Sequence, residues 1–269
     1  MRKHKPAARD LVWLPPIFLF FAACMTLPAQ PQIGGGACNS ASLNGNYSLT
    51  LAGRDVNQTA TLMLVSVGVG TATFDGLSKV TLTVTPNTGK GQGGVQTLSG
   101  TYSMQVNCFG TLTITSGSNA TFTVESYNQG KDFLLTGQDG TYTYTGSGNV
   151  LPASCSASQI NGTYAFNGNG FLTTSAGAIS GVTDFSGLMQ FNGPGTVAAT
   201  WYISAGGSTQ MVTASGTYSV NSNCTGTATL TDSAGNRESV TVTVTAAAGN
   251  FIIGGATTQF IFTGTGRPL

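Results

Sequence analysis

Residues 38–47 (CNSASLNGNY) return with little change as residues 155–164 (CSASQINGTY), 117 positions further along the chain. A second stretch, residues 99–108 (SGTYSMQVNC), returns as residues 215–224 (SGTYSVNSNC) at an offset of 116. Ordered matches at a nearly constant offset indicate an internal duplication. The chain is therefore expected to contain two copies of one structural unit.

The duplication extends to the end of each copy. Residues 133–148 match residues 251–266 without a gap, at an offset of 118. We predict two complete units, 38–148 and 155–268, joined by a linker over 149–154. A solenoid is not expected, because its repeats would be shorter and more numerous.

Each unit has the sequence pattern of β-strands throughout. Val80, Leu82 and Val84 alternate with threonine, and the same alternation recurs at 240–244. An alternation with a period of two is typical of half-buried strands. Turn-forming dipeptides such as Asp75-Gly76 separate the strands and favour tight type I′ hairpins. We predict an all-β fold with seven to nine strands per unit.

The cysteines are distributed evenly between the units. Apart from Cys24, each unit holds one pair at corresponding positions, Cys38 with Cys108 and Cys155 with Cys224. Four cysteines allow three pairings. The duplication favours the pairing within each unit, which predicts two disulfides that each close a loop of about 70 residues.

The spacing of the cysteines superficially suits an immunoglobulin domain, but the details differ. Tyr102 lies six residues before Cys108 instead of two, and the first unit contains no tryptophan for the core. We therefore favour two tandem small antiparallel β-barrels of the lipocalin-like meander type. Two β-sandwiches are the alternative.

Residues 1–29 resemble an export signal, with basic residues at the start and an apolar run over 11–23. Leu27-Pro28-Ala29 offers a cleavage site, and a Gly-rich linker over 30–37 would follow it. The apolar run is too short for a spanning helix. The alternative is a lipoprotein signal, with the lipid attached to Cys24. The sequence thus predicts a secreted or cell-envelope protein.

Removal of the signal leaves six basic and eight acidic residues, a net charge of −2 with no basic cluster. Nucleic-acid binding requires Lys and Arg to neutralise phosphates, so a nucleic-acid partner is not expected. A membrane association is expected only if Cys24 carries a lipid. The sequence identifies no other partner.

Few side chains remain for catalysis or for metal binding. The only histidine, His4, lies in the predicted signal, which removes His-dependent triads and His-ligated metals from the mature chain. Cysteines held in disulfides are neither nucleophiles nor metal ligands. The Gly-rich stretches lack the Lys-Ser/Thr that phosphate binding requires. We therefore predict no enzyme, no catalytic residue, no metal site and no cofactor.

Paired carboxylates remain as a route to hydrolysis. None of the acidic positions that align is acidic in both units; Asp75, for example, corresponds to Asn192. A site present in one unit only stays open, with Glu125 and Asp132 or Asp232 and Glu238 as candidate pairs. These pairs are more simply explained as solvated surface residues.

Trp201 and Tyr202 are the candidate ligand-binding residues, because the first unit has no aromatic pair at this place. Aromatic rings form good platforms for ligands or glycans. The simpler interpretation places one ring in the core and the other on the surface of a strand.

Leu43-Asn-Gly-Asn-Tyr47, its copy at 160–164 and the two Ser-Gly-Thr-Tyr segments that lead to cysteines carry a resemblance. The chain resembles a group of secreted two-repeat β proteins of soil bacteria with a Cys…Leu-x-Gly-x-Tyr start and a later Gly-Thr-Tyr…Cys segment. The resemblance covers nearly the whole mature chain but implies no activity. Gly45-x-Tyr47 is also similar to the Gly-x-Trp opening of lipocalin- and avidin-like barrels, which implies a barrel and no binding residue.

Three functions are compatible with these features. The first is a non-catalytic binding or adhesive protein of the cell exterior, which the tandem architecture and low charge favour. The second is a lipocalin-like carrier of a small apolar ligand, which would require an unfilled barrel interior. The third is a hydrolase with its site in one unit only.

Overall fold

A computed structural model of the chain describes residues 37–56, 65–174, 178–193, 195–245, 249–257 and 260–269. These residues form two closed, eight-stranded antiparallel β-barrels, one from each sequence unit. The prediction of two tandem barrels is thereby confirmed over the alternative of sandwiches. The expected signal, Cys24 and most of the Gly-rich linker lie outside the described residues.

Barrel 1 is a meander that closes through its first strand, which pairs with both the second and the last. A two-residue strand, the fourth, pairs with the third strand outside the closed ring. The strands are β1 (Asn44–Asp55), β2 (Val65–Asp75), β3 (Lys79–Thr88), β4 (Gly91–Gln92), β5 (Gln96–Met104), β6 (Phe109–Ser116), β7 (Thr121–Tyr127), β8 (Asp132–Gln138) and β9 (Tyr142–Asn149). A 3₁₀ turn, η2 (Asn128–Gly130), joins β7 to β8.

Barrel 2 repeats this meander and closes through the pairing of its first and last strands. Its strands are β10 (Gly162–Thr173), β11 (Ile179–Asn192), β12 (Thr196–Ala205), β13 (Ser208–Val220), β14 (Thr225–Asp232), β15 (Arg237–Val244), β16 (Phe251–Ala256) and β17 (Phe260–Pro268). Neighbouring strands are joined in chain order, so four connections lie at one end of the barrel, and three connections lie at the other together with the start of β10 and the end of β17.

The alternating sequence pattern produces the barrel interiors. In β3, Val80, Leu82 and Val84 are buried, whereas Thr81 between the first two and Lys79 before them are exposed. Successive side chains of a strand point to opposite faces, so the apolar set fills the barrel and the threonines face outward. Each barrel has its own apolar core.

Both predicted disulfides are present. Cys38 is bonded to Cys108 and Cys155 to Cys224, with Cα–Cα distances of 4.9 and 4.8 Å. In each barrel the bond ties the segment before the first strand to the turn between the fourth and fifth strands of the ring.

A short 3₁₀ helix follows the first cysteine of each unit and covers one end of the barrel. These helices are η1 (Ser40–Ser42) and η3 (Ala157–Gln159), and each begins with a capping box. The hydroxyl of Tyr102 donates to the carbonyl oxygens of Ser40 and Leu43, each 2.8 Å away. Burial, with the nearby charge of Asp75, raises the pKa of Tyr102 to about 12. Tyr218 holds η3 in the same way, so we call this the capped end of each barrel and the other the far end.

The turns predicted as tight hairpins are wider than expected. β2 ends at Asp75 and β3 begins at Lys79, which leaves a three-residue loop instead of a two-residue type I′ turn. The carboxylate of Asp75 accepts hydrogen bonds from the backbone N–H groups of Leu77, Ser78 and Lys79. This side chain stabilises the longer loop, as aspartate commonly does in turns.

The segment predicted as a linker is held by both barrels. Val150 pairs with Tyr47 of barrel 1, and the N–H of Leu151 donates to the carbonyl oxygen of Asn46 at 2.8 Å. The side chain of Leu151 nevertheless belongs to the core of barrel 2. Gln92 also donates to Thr241 at 3.0 Å across the two barrels. The connection is therefore not a free tether.

Candidate functional site

Barrel 2 contains a cavity of about 100 Å³ between its middle and its far end. Five aromatic side chains form much of the wall: Phe166, Phe185, Trp201, Phe260 and Phe262. Eight further apolar residues complete the lining: Met189, Ile203, Val212, Ala228, Leu230, Val240, Val242 and Ile253. Two carboxylates, those of Asp232 and Glu238, also border it.

The duplication shows which residues leave this space open. Ala228 pairs with Val240 across β14 and β15, and the corresponding pair in barrel 1 is Leu112 with Phe122 across β6 and β7. All four side chains are buried. Barrel 2 thus carries a methyl and an isopropyl group where barrel 1 carries an isobutyl group and a phenyl ring. The smaller side chains of this wall leave space free near the axis of barrel 2.

The opposite wall changes in the other direction, from smaller to larger side chains. At an offset of 117, Leu49, Gly68, Ala72 and Val84 of barrel 1 correspond to Phe166, Phe185, Met189 and Trp201 of barrel 2. The Phe185 ring lies over Gly168, its strand partner, where any added Cβ would collide with the ring. Aromatic packing on one side and small residues on the other produce a cavity with an aromatic wall.

The two carboxylates stand where β14 ends and β15 begins, at the far end of the barrel. The carboxylate of Asp232 accepts hydrogen bonds from the backbone N–H groups of Ala234 and Asn236 at 2.9 and 2.7 Å. It also accepts one from the Asn236 side-chain amide at 2.8 Å. These hydrogen bonds lower the pKa of Asp232, the side-chain bond most of all. Asp232 is therefore an ionised group fixed by its own turn.

Glu238 has a different environment. It is partly buried, and in the part of the chain that the structure describes its carboxylate makes no hydrogen bond or ion pair. Burial raises its pKa, and the negative charge of Asp232 raises it further. In barrel 1 the corresponding position is Ala120. The backbone N–H of Ile114 donates to the carbonyl oxygen of Ala120, and Leu230, the counterpart of Ile114, is the strand partner of Glu238. The fold itself therefore does not require an acid at this position.

Trp201 and Tyr202 have different locations, because neighbouring residues of a strand face opposite sides. The Trp201 ring lines the cavity, with its centroid 6.4 Å from that of Phe166. Tyr202 faces outward, is 55% exposed and lies opposite Met211 on the barrel surface. Only Trp201 of the predicted pair can contact a ligand in the cavity.

Only one of the two candidate acid pairs lies at the cavity. Asp232 and Glu238 border one cavity. Glu125 and Asp132 are not strand partners, since Glu125 lies opposite Leu134. The carboxylate of Asp132 is instead held by the side-chain amides of Asn128 and Asn149, each at 2.8 Å.

Four phenylalanines of the cavity wall are not recognisable as ligand contacts from the sequence. They are Phe166, Phe185, Phe260 and Phe262. The cavity would be indicated by a comparison of the inward-facing positions of the two units, because Ala228 and Val240 of barrel 2 replace the larger Leu112 and Phe122 of barrel 1. That comparison depends on the strand register, which the sequence alone does not provide.

Comparison with known protein families and with curated proteins finds no match to this chain. None of the helices among the described residues is long and apolar enough to cross a membrane. In the same residues, no three His, Cys, Asp or Glu side chains form a cluster that could hold a metal ion.

Proposed function

We propose that this protein is a non-catalytic, exported binding protein that holds a small apolar compound in barrel 2. The observation that carries the proposal is the aromatic-walled cavity at the far end of that barrel. An apolar cavity with a few polar groups at one side is the usual form of a small-molecule site. This function combines the binding and carrier roles that the sequence analysis left open.

The size of the cavity limits the ligand. It measures about 100 Å³, and a dry apolar cavity of about 150 Å³ in another protein binds benzene. Five aromatic side chains favour an aromatic ligand, because offset and edge-to-face ring contacts add to simple apolar burial. We therefore expect a compound with a single ring, whose substituents extend toward the far end.

Several features support a role in binding and not in catalysis. The mature chain contains no histidine, and its four cysteines form disulfides. Asp232, one of the two carboxylates at the cavity, is already engaged by Ala234 and Asn236. A group that is held ionised by its own turn is poorly suited to transfer a proton near neutral pH.

We further propose export to the cell exterior or envelope, with a signal cleaved after Ala29. The two disulfides are consistent with an extracellular location, since such bonds persist in oxidising compartments. We expect mass spectrometry of the exported protein to find an N-terminus at or near Gln30 and no lipid. A lipid-modified Cys24 would contradict this and would place the protein on a membrane surface.

The binding proposal predicts that phenethyl alcohol and toluene bind saturably to the mature chain, residues 30–269. Trp201 is the only tryptophan of this fragment, because Trp13 lies in the signal. Its fluorescence therefore reports on the cavity wall directly. Titration with each compound should give a saturable change in Trp201 emission.

Ala228→Leu is the variant that tests the location. It introduces the residue that barrel 1 carries at this position, and the isobutyl group would occupy the cavity, so binding should be lost. Tyr202→Phe is the matched control, because it alters the outward neighbour of Trp201 and should bind as the wild type does. The proposal fails if the wild type shows no saturable binding, or if Ala228→Leu binds equally well.

A further inference from the structure

We propose that the barrel 2 cavity selects aromatic amines: the ring lies among the aromatic side chains and the ammonium group is held at the far end by Glu238 and Asp232. This inference rests on the proposed function, because it assigns a chemical class to the ligand of the same cavity. It goes further by assigning the charge of the ligand and the residue that recognises it.

The charge of the cavity lining favours a cationic ligand. Asp232 and Glu238 are the only charged side chains among the described residues that border the cavity. Arg237, next to Glu238 in β15, is exposed and lies opposite Thr231, so its guanidinium does not neutralise the pair inside. Two carboxylates beside a low-dielectric wall produce a negative potential that attracts a cation and repels an anion.

The carboxylate of Glu238 lacks a partner among the described residues. A partly buried carboxylate without a hydrogen bond or counter-ion is energetically costly, and its raised pKa reflects this cost. Barrel 1 avoids the cost with Ala120 at the corresponding position. A ligand that brings an ammonium group to this place would provide the partner that the chain lacks.

The apolar and the acidic parts of the lining lie at different depths of the barrel. The aromatic side chains line the interior, and the carboxylates lie at the end of β14 and the start of β15. A ring with a short aminoalkyl chain has the same order of apolar and cationic parts. The faces of the Phe and Trp rings also tolerate a nearby cation well.

The experiment compares three ligands that share a phenyl ring and differ in charge. At pH 7, phenethylamine is a cation, phenethyl alcohol is neutral and phenylpropanoate is an anion. Hydrogen bonds to charged groups are strong enough that we expect the amine to bind about tenfold more tightly than the alcohol. The anion should bind more weakly than either.

Glu238→Gln removes the charge and keeps the shape. In this variant the affinity for phenethylamine should fall about tenfold, to that of the alcohol, while the affinity for the alcohol stays unchanged. Glu238→Ala, which introduces the residue of barrel 1, should behave in the same way. It controls for any local structural effect of the glutamine side chain. Unfolding transitions of both variants, followed at Trp201, check that barrel 2 remains folded.

The pH dependence gives an independent readout. Asp232 and Glu238 are the titratable groups at the cavity, and the pKa of Glu238 is raised while that of Asp232 is lowered. As the pH falls from 7 to 4, Glu238 should be protonated first. The affinity of the wild type for phenethylamine should then decline, and that for the neutral alcohol should not.

The possible results separate the two proposals. If the alcohol binds and the amine binds no better, the cavity is a ligand site and the inference about charge is wrong. If the preference for the amine persists in Glu238→Gln, the assignment to Glu238 is wrong. If none of the three compounds binds, the proposed function itself fails, and this inference fails with it.

Discussion

Replacement of Cys155 and Cys224 by alanine is expected to lower the free energy of unfolding of barrel 2 by about 4 kcal/mol. The bond joins residues 69 positions apart, and opening a loop of this length releases much conformational entropy in the unfolded chain. A loss of this size is a large part of the stability of a typical domain, which is about 5–15 kcal/mol. The variant should therefore be close to unfolding at 37 °C.

Denaturant unfolding of residues 30–269, followed by Trp201 fluorescence, measures this loss in barrel 2 alone. The matched control is the double replacement of Cys38 and Cys108, which removes the equivalent bond from barrel 1. The control should leave the Trp201 transition in place and shift a second transition that circular dichroism detects. If both variants shift the Trp201 transition equally, the two barrels unfold as one unit, contrary to the prediction of two complete domains.

The general architecture could be predicted from the sequence because the duplication provides an internal comparison. The pairing of Cys38 with Cys108 and of Cys155 with Cys224 follows from symmetry between the copies, and the structure confirms it. The alternation at Val80, Leu82 and Val84 likewise predicts which side chains face inward. Both inferences can be made without knowledge of the strand register.

Finer features depend on contacts that the sequence does not show. The three-residue loop after Asp75 is stabilised by its carboxylate, which a dipeptide rule does not anticipate. The hydrogen bond of Leu151 to Asn46 joins the predicted linker to barrel 1, although nothing in residues 149–154 indicates it. In each case a side chain or backbone group makes a hydrogen bond that the local sequence pattern does not indicate.

The candidate site shows the same limit. Trp201 was predicted as a ligand residue together with Tyr202, yet only strand register decides which of the two faces inward. Glu238 corresponds to Ala120 only because the offset between the copies changes from 116 to 118 at the turn before β15. An alignment at one constant offset hides this exchange, and with it the most unusual charged group of the cavity.

Phe191→Ala is expected to lower the free energy of unfolding of barrel 2 by about 4 kcal/mol, within the usual range for a large buried aromatic side chain. Phe191 is 1% exposed at the capped end, where its ring centroid lies 4.9–5.5 Å from those of Tyr164, Tyr218 and Phe251. Truncation removes three edge-to-face ring contacts and leaves a cavity at the capped end.

Leu188→Ala is the matched control for this prediction, since Leu188 lies on the same strand and is 49% exposed on the outer face. Its truncation should change stability by less than about 1 kcal/mol, as is usual for surface positions. Phe74→Ala removes the equivalent ring of barrel 1, which contacts Tyr102 at 4.9 Å between centroids, and should leave the Trp201 transition unchanged. A loss below about 1 kcal/mol for Phe191→Ala would mean that the aromatic cluster does not anchor the capped end. The capped end would then be held by the disulfide and η3 alone.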